Sequence, residues 1–379
     1  MVHSHPSAVP KNRDSFKESI DVEALFRTVK RLCYAGLDSV SLRREVAARV
    51  VPSLEFDAHA FSTCDPDIGL MTHVVADGIP SELASAYLEQ LYPEHCAQMT
   101  IDMPRQGTPV YSSIEHSEKT RSQFSAAGMH CQVNASFVSG GRLWGTWCLM
   151  RAERTRSTDA RARALLQRLV PHIARGLQSS ALIDRGAVTP PRREREDGAG
   201  VLVLDERHRP LVRTRAVSAC LEDLADVGLR MPEDLPLSVL ALVSRLRRAR
   251  VDVAATLRVR TRGRSGRWYT MRASFAEPNE HGGRATVIVV QPAAVREIAG
   301  LLTQLYDLSA REREVVAAVA RGESTKEIAA SLGVSGHTVL EHIDRACNKI
   351  GVRGRKALIG KLFFDGYAPV LSQDAKQAG

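Results

Sequence analysis

The sequence predicts a multidomain chain, with two α+β units in series followed by an all-α unit of four helices. Three observations predict it. The 379 residues exceed a usual single domain. The hydrophobic period switches repeatedly between helical and alternating across residues 21–292, and is helical alone from 308. Between the two mixed stretches lies TPPRREREDGAG (189–200), whose prolines, glycines and charge run make a linker rather than an element.

Composition sets the class. Apolar residues make up 44% and charged residues 25%, ordinary values for a soluble globular chain. The net charge of +9 points to a polyanionic partner, although arginine-rich compositions also occur without one. The opening MVHSHPSAVPKNRDSFKESID lacks the basic-then-apolar order of a secretion signal. The longest apolar candidate, LPLSVLALVSRL at 235–246, is too short to span a bilayer. A cytoplasmic protein with no membrane contact is expected. Seven cysteines, at 33, 64, 96, 131, 148, 220 and 347, form no C-x-x-C pair, so free thiols are expected rather than a disulfide framework.

Residues 1–20 are polar and expected to be disordered. The first unit, 21–186, opens with helical spacing at Leu25, Val29 and Leu32, then Leu42, Val46 and Val50. HAFSTC and LMTHVVADG are strand-like, Pro80 opens a helix, and CQVNASFVSGGRLWGTWCLMRA is a hairpin turning at Ser139-Gly140-Gly141. A long amphipathic helix over 158–183 closes it. Trp144 and Trp147, three apart, are expected on opposite sheet faces, one in the core and one either in the core or beside a pocket. The order of elements, and above all GGRLWGTWCL, resembles a GAF domain, a small-molecule sensor fold.

After the linker (187–199), the second unit covers 200–292. GVLVLDERHRPLVRTRAVSACLEDL gives strand, charged turn, strand and helix. A hairpin around Arg262-Gly263 and the β-branched strand RATVIVVQP follow. This stretch resembles a PAS domain, another sensor fold. A phosphate-accepting receiver is excluded, because Asp205 lacks the clustered carboxylates that hold magnesium. The arginines of RLRRARVDVAATLRVRTRGRSGR (245–267) alternate with apolar residues and are expected on solvated faces.

Residues 293–307 form a connecting helix, 308–367 the helical unit and 368–379 a flexible tail. Ser309 and Glu312 make a capping box, with Glu314 also in the first turn. Val315, Val316, Val319 and Ala320 give the buried face, and Arg321-Gly322 the stop. Ser324 and Glu327 make a second box, with Ile328, Ala329 and Leu332 inward. Gly333 permits the turn and Ser335 caps the third helix. There Val339, Ile343, Ala346 and Ile350 form one apolar stripe, while Gly336, His337, Leu340, Glu341, Asp344, Arg345 and Asn348 lie opposite. Two helices joined by a glycine turn are the helix-turn-helix plan, in which the second helix enters the DNA major groove.

These motifs, LS-x-RE-x-EV, S-x-KEIA-x-x-L-x-VS, TV-x-x-H and KIGV-x-x-R over about 308–364, resemble the LuxR/FixJ-type DNA-binding domain. The resemblance implies a one-component transcription regulator that binds promoter DNA as a homodimer, under control of a sensory region with a small-molecule effector, and in reach of RNA polymerase. It implies phosphate contacts from Thr325, Lys326, Ser335, Thr338, Lys349, Arg353 and Arg355. His337, Leu340, Glu341, Asp344 and Arg345 would face bases or nearby phosphates, and Leu358, Leu362 and Phe363 would form the dimer interface. Leu340 and Asp344 depart from the family, which often has basic residues there. Leucine can touch a thymine methyl and a carboxylate can read cytosine N4, but anions weaken the electrostatic term. Three readings stay open: an unusual DNA site, affinity carried by Arg345, Lys349 and the dimer, or an adaptor that binds protein.

No P-loop, G-x-G-x-x-G or nucleophile–His–acid motif occurs, so neither enzymatic activity nor a cofactor is expected. The doublets His95-Cys96 and His130-Cys131 leave a metal- or redox-sensing first unit as the rival, but neither has a ligand spacing, and no metal site is expected.

Overall fold

The computed structural model describes residues 21–86, 109–112, 117–152, 156–181, 199–229, 231–248, 257–276, 284–293, 297, 306 and 308–360. Residues 1–20, most of the 187–199 linker, nearly all of the 293–307 helix and the 368–379 tail lie outside the described residues, as do His95, Cys96, Leu362 and Phe363.

In the first unit, α1 (Val22–Cys33) and α2 (Ser39–Ser53) start where Asp21 and Asp38 accept the amides of their first turns. Leu25, Val29, Leu42, Val46 and Val50 are buried, as their spacing predicts. β1 (Ala58–Asp65), β2 (Leu70–Asp77), β3 (Val110–Tyr111), β4 (Cys131–Ser139) and β5 (Arg142–Arg151) form an antiparallel sheet in the order β2-β1-β5-β4-β3. The β4–β5 hairpin turns on Gly140 and Gly141, both at positive φ (59° and 73°), which a two-residue hairpin of the favoured twist requires. α3 (Ser81–Ala86), α4 (Glu118–Ala126) and the long α5 (Arg156–Ser180) complete the unit.

The two tryptophans correct the expectation of opposite faces. The β4–β5 register shifts between Phe137 and Val138, which resets the alternation, and both indoles enter one apolar cluster. Trp147 stacks on Phe61 at 4.6 Å between centroids, and the Trp144 indole donates to the Ser139 carbonyl.

The second unit repeats the theme. β6 (Gly200–Leu204), β7 (Pro210–Arg213), β8 (Leu257–Arg262), β9 (Trp268–Phe275) and β10 (Thr286–Pro292) pair antiparallel in the order β7-β6-β10-β9-β8, with the β-branched β10 at the centre. Asp205 organises the β6–β7 turn by accepting the amides of Arg207 and Arg209. α6 (Arg215–Asp223) and α7 (Leu237–Arg248) lie alongside the sheet.

α7 covers the apolar run that is too short for a bilayer. Leu237 to Ser244 are all buried, and the helix packs against β2 of the first sheet and against β8 and β9 of the second. Leu70, Val74 and Ala76 of β2 therefore share one core with Leu240, Val243 and Met271. Among the described residues, no helix is long and apolar enough to cross a membrane.

The solvated faces expected for the arginine run need a second correction. Arg260 is buried, and its guanidinium lies 2.9 Å from Asp65 of the first unit and pairs also with Asp67. The Arg260 backbone amide bonds Asp65 as well, at 2.8 Å.

A short strap adds to this junction. Val227 donates to the Val74 carbonyl and accepts from Ala76, so the free edge of β2 is paired with backbone from the second unit. Beside it, the Asp226 carboxylate accepts the amides of Val74 at 2.8 Å and Leu237 at 2.6 Å. Burial pushes its pKa up to about 7, against the pull of those two bonds and of Arg43. A carboxyl whose pKa is higher folded than unfolded stabilises most when protonated, and that contribution is lost as pH rises through about 7. Thermal melts should therefore show the Asp226→Asn variant gaining on wild type as pH rises from about 6 to 8. Buried His59 and half-buried His208, whose pKa values desolvation lowers, act in the opposite direction but equally in both proteins. A constant difference across that window would refute the assignment.

Candidate nucleic-acid interface

The C-terminal unit is built from α8 (Ala310–Ala320), α9 (Thr325–Leu332) and α10 (Gly336–Ile350), and residues 354–360 are also helical. Both expected capping boxes are present. Ser309 and Ser324 accept the amides of Glu312 and Glu327, whose carboxylates bond back to the serine amides at 2.7 Å. Gly333 sits at φ 65°, the left-handed conformation that lets α9 stop and α10 start within three residues. Ser335 caps α10 through the Thr338 amide.

The apolar stripe of α10 packs inward. Val339, Ile343, Ala346 and Ile350 are buried, joined by Cys347, against Val315, Val316, Val319 and Ile328. On α8, Ala318 takes the buried position expected of Ala320, which is exposed.

The opposite face of α10 is open. Gly336, His337, Leu340, Glu341, Asp344, Arg345 and Asn348 are all exposed, and Leu340 is 50% accessible, unusual for a leucine outside an interface. Glu341 lies 3.3 Å from the Arg345 guanidinium and 3.4 Å from the His337 ring, one turn away on either side. Its negative charge is thus countered on its own helix. Lys326 and Arg353 are exposed, and Thr325 and Thr338 are half-buried. The structure brings these residues onto one unit as expected.

Two cations have a further task that sequence reasoning missed. Lys349 donates to the buried Glu312 carboxylate at 2.7 Å. Burial would raise the Glu312 pKa, but the bonds from Lys349 and Ser309 outweigh it and hold the carboxyl below its ordinary value. Arg355 bonds the Glu323 carbonyl. Both cations therefore tie α10 and the segment after it to α8 and the loop that follows it. Leu358, expected at a dimer interface, is fully buried within this chain, in one apolar cluster with Val315, Val319 and Ile350. Ile359 beside it is exposed.

Elsewhere, His130 lies 3.4 Å from the Ser125 hydroxyl and Cys131 is buried. Among the described residues, no group of three or more His, Cys, Asp or Glu side chains is placed to hold a metal ion.

This geometry defines a helix-turn-helix unit: a capped supporting helix, a glycine turn, and a longer helix with one buried and one open face. Residues 307–362 match the family model described as bacterial regulatory proteins, luxR family. The spore germination protein GerE of Bacillus subtilis is 44% identical over 55 residues, covering 14% of this chain and 74% of that protein. The probable transcriptional regulatory protein NarL of Mycobacterium tuberculosis is 41% identical over 78 residues, 19% of this chain and 36% of NarL. The chain thus spans little more than a third of NarL's length. Two solved structures show only slight likeness. The VqmA–ligand–DNA complex of Vibrio cholerae is 19% identical, with 44% of this chain and 83% of that chain covered and a TM-score of 0.24. SdiA in complex with octanoyl-rac-glycerol is 13% identical, with 91% and 95% covered and a TM-score of 0.28. Scores this low carry no argument about the fold. The chain belongs to the luxR family of bacterial regulatory proteins.

Proposed function

We propose that this protein is a cytoplasmic one-component transcription regulator, not an enzyme, which binds promoter DNA as a homodimer through residues 308–367. The open face of α10, held against a capped α9 inside the family-matched region, carries the reading. Leu340, Glu341, Asp344 and Arg345 meet base edges. Lys326, Arg353 and the start of α10 hold phosphates. Thr325, Ser335, His337 and Thr338 line the same approach, and Lys349 and Arg355 brace α10. The two α+β units, GAF-like and PAS-like, form the sensory region and take a small-molecule effector. RNA polymerase is the downstream partner. The chain beyond 354, with exposed Ile359, supplies the dimer contact that sets two α10 helices about one DNA turn apart.

Selection of genomic fragments on the full-length protein tests this, followed by titration of the recovered site at two salt concentrations. An inverted repeat with salt-dependent affinity is expected. Arg353→Ala should lower the salt slope by about one and weaken all sequences alike, whereas Arg345→Ala should cost about 1–3 kcal/mol and relax one position of the site. The Arg345 loss is enlarged because Glu341 is then left facing the groove with less compensation. An exposed Leu340 between carboxylates favours a second reading, an adaptor that binds protein. No enrichment, with only weak binding that salt abolishes, would favour it over the first.

A further inference from the structure

Where the two α+β units meet, a cleft of about 90 Å³ opens. One wall comes from the start of α2, the β1–β2 hairpin, Trp144 and the end of α5, and the other from the β8–β9 hairpin with Trp268. Junctions between units are where small-molecule sites concentrate.

Three properties of the wall define what it takes. It carries four arginines, Arg43, Arg260, Arg262 and Arg264, against two aspartates, Asp38 and Asp65. Asp65 pairs with Arg260, and Asp38 accepts the amides of Val40 and Ser41, so with four arginines against two aspartates the lining keeps an excess of positive charge. Arg43 is itself 1% exposed, held by the Phe61 and His73 carbonyls, and a guanidinium that deep strengthens the field inside the cleft. Two indoles, the buried Trp144 and the half-buried Trp268, line it and make part of the wall apolar. Finally, Ser39 lines the cleft, and its hydroxyl is buried and without a hydrogen-bond partner. A buried hydroxyl left unpaired costs stability, and a guest with an acceptor oxygen removes that cost.

We propose that this cleft binds a small aromatic carboxylate. The ring lies against Trp144 and Trp268, and the carboxylate accepts from Ser39 and the arginine wall. Positive charge without indoles would suit any small anion, and indoles without charge any flat apolar molecule. Both together with an unfilled hydroxyl select the aromatic acid. Because the walls belong to different units, the bound acid clamps one against the other. The proposal gives a ligand to the sensory region of the regulator proposed above and, for its regulatory consequence, rests on that reading.

Tryptophan fluorescence of the full-length protein tests it, since two of the three tryptophans line the cleft. Benzoate and indole-3-acetate are titrated as probes, with benzamide and acetate as controls. Saturable quenching by both aromatic acids, and by neither control, is expected. Ser39→Ala should weaken benzoate about tenfold, as loss of one hydrogen bond to a charged group does, while the unliganded protein melts no lower than wild type. Arg264→Gln should weaken both acids and leave the melting temperature unchanged. Absence of saturation at millimolar acid, or equal binding of benzamide, or full affinity in Ser39→Ala, would overturn the site. DNA affinity is measured separately with and without benzoate. Quenching without any change in DNA affinity upholds the site and removes the coupling, and quenching with no DNA binding at all overturns the regulator reading alone.

Discussion

Replacing Arg260 with methionine is expected to cost about 3–5 kcal/mol of stability, the penalty for stripping one partner from a buried ion pair. The side chains of Arg260 and Asp65 are only 6% and 2% accessible, so the stranded carboxylate is poorly hydrated. It would keep the amides of Asp67 and Arg260 at 3.0 and 2.8 Å, but not the opposing charge. Urea unfolding followed by circular dichroism at neutral pH measures the loss as a lower midpoint for the first two units. Adding Asp65→Asn to Arg260→Met should restore part of it, because the amide removes the buried charge and keeps an acceptor. A single variant as stable as wild type would show that the pair is solvated in solution.

A comparable loss, about 3–5 kcal/mol, is expected for Gly228→Ala, by a different route. Gly228 sits at φ 75°, where a side chain is strained, and an added Cβ would come within 1.9 Å of the Ala76 carbonyl. That atom is strand backbone and cannot swing aside. The strap would have to withdraw from β2, giving up both backbone bonds of Val227 and the Asp226 bond to Val74. Hydrogen exchange should then accelerate at the amides of Val74 and Ala76 and leave α8–α10 unchanged. Protection of those two amides as in wild type would refute this account of the junction.

Much of the fold is written in local patterns. Helical spacing placed α1, α2 and α10, glycines marked the β4–β5 and β8–β9 hairpins, and serine–glutamate pairs marked the starts of α8 and α9 to the residue. These signals act within four or five positions and survive any context. What local patterns do not show depends on distant partners. LRVRTR alternates as a half-solvated strand should, yet Arg260 within it meets Asp65, nearly two hundred residues away, and is buried. Leu358 reads as an exposed position on its own helix, and only the fold shows it buried in the apolar cluster with Val315 and Ile350. Lys349 fits a phosphate contact by position, and only the fold shows that Glu312 holds it. The run LPLSVLALVSRL, apolar on every side, carried a signal that was available: such a helix needs cover all round, and between two sheets α7 has it.

That placement bears on how the protein can be taken apart. The proline-rich stretch before Gly200 invites the scissors, but a fragment ending there would lay bare Leu70, Val74 and Ala76 along an unpaired strand edge, a template for aggregation. Fragments and chimeras that keep residues 21–297 as one piece, with Glu297 on Thr270 and Arg272 of β9, and join new partners between 298 and 308, respect the grain of the molecule. Recombination that swapped the first unit alone would have to bring α7 and the Val227 strap with it. A working exchange accordingly moves the two α+β units together.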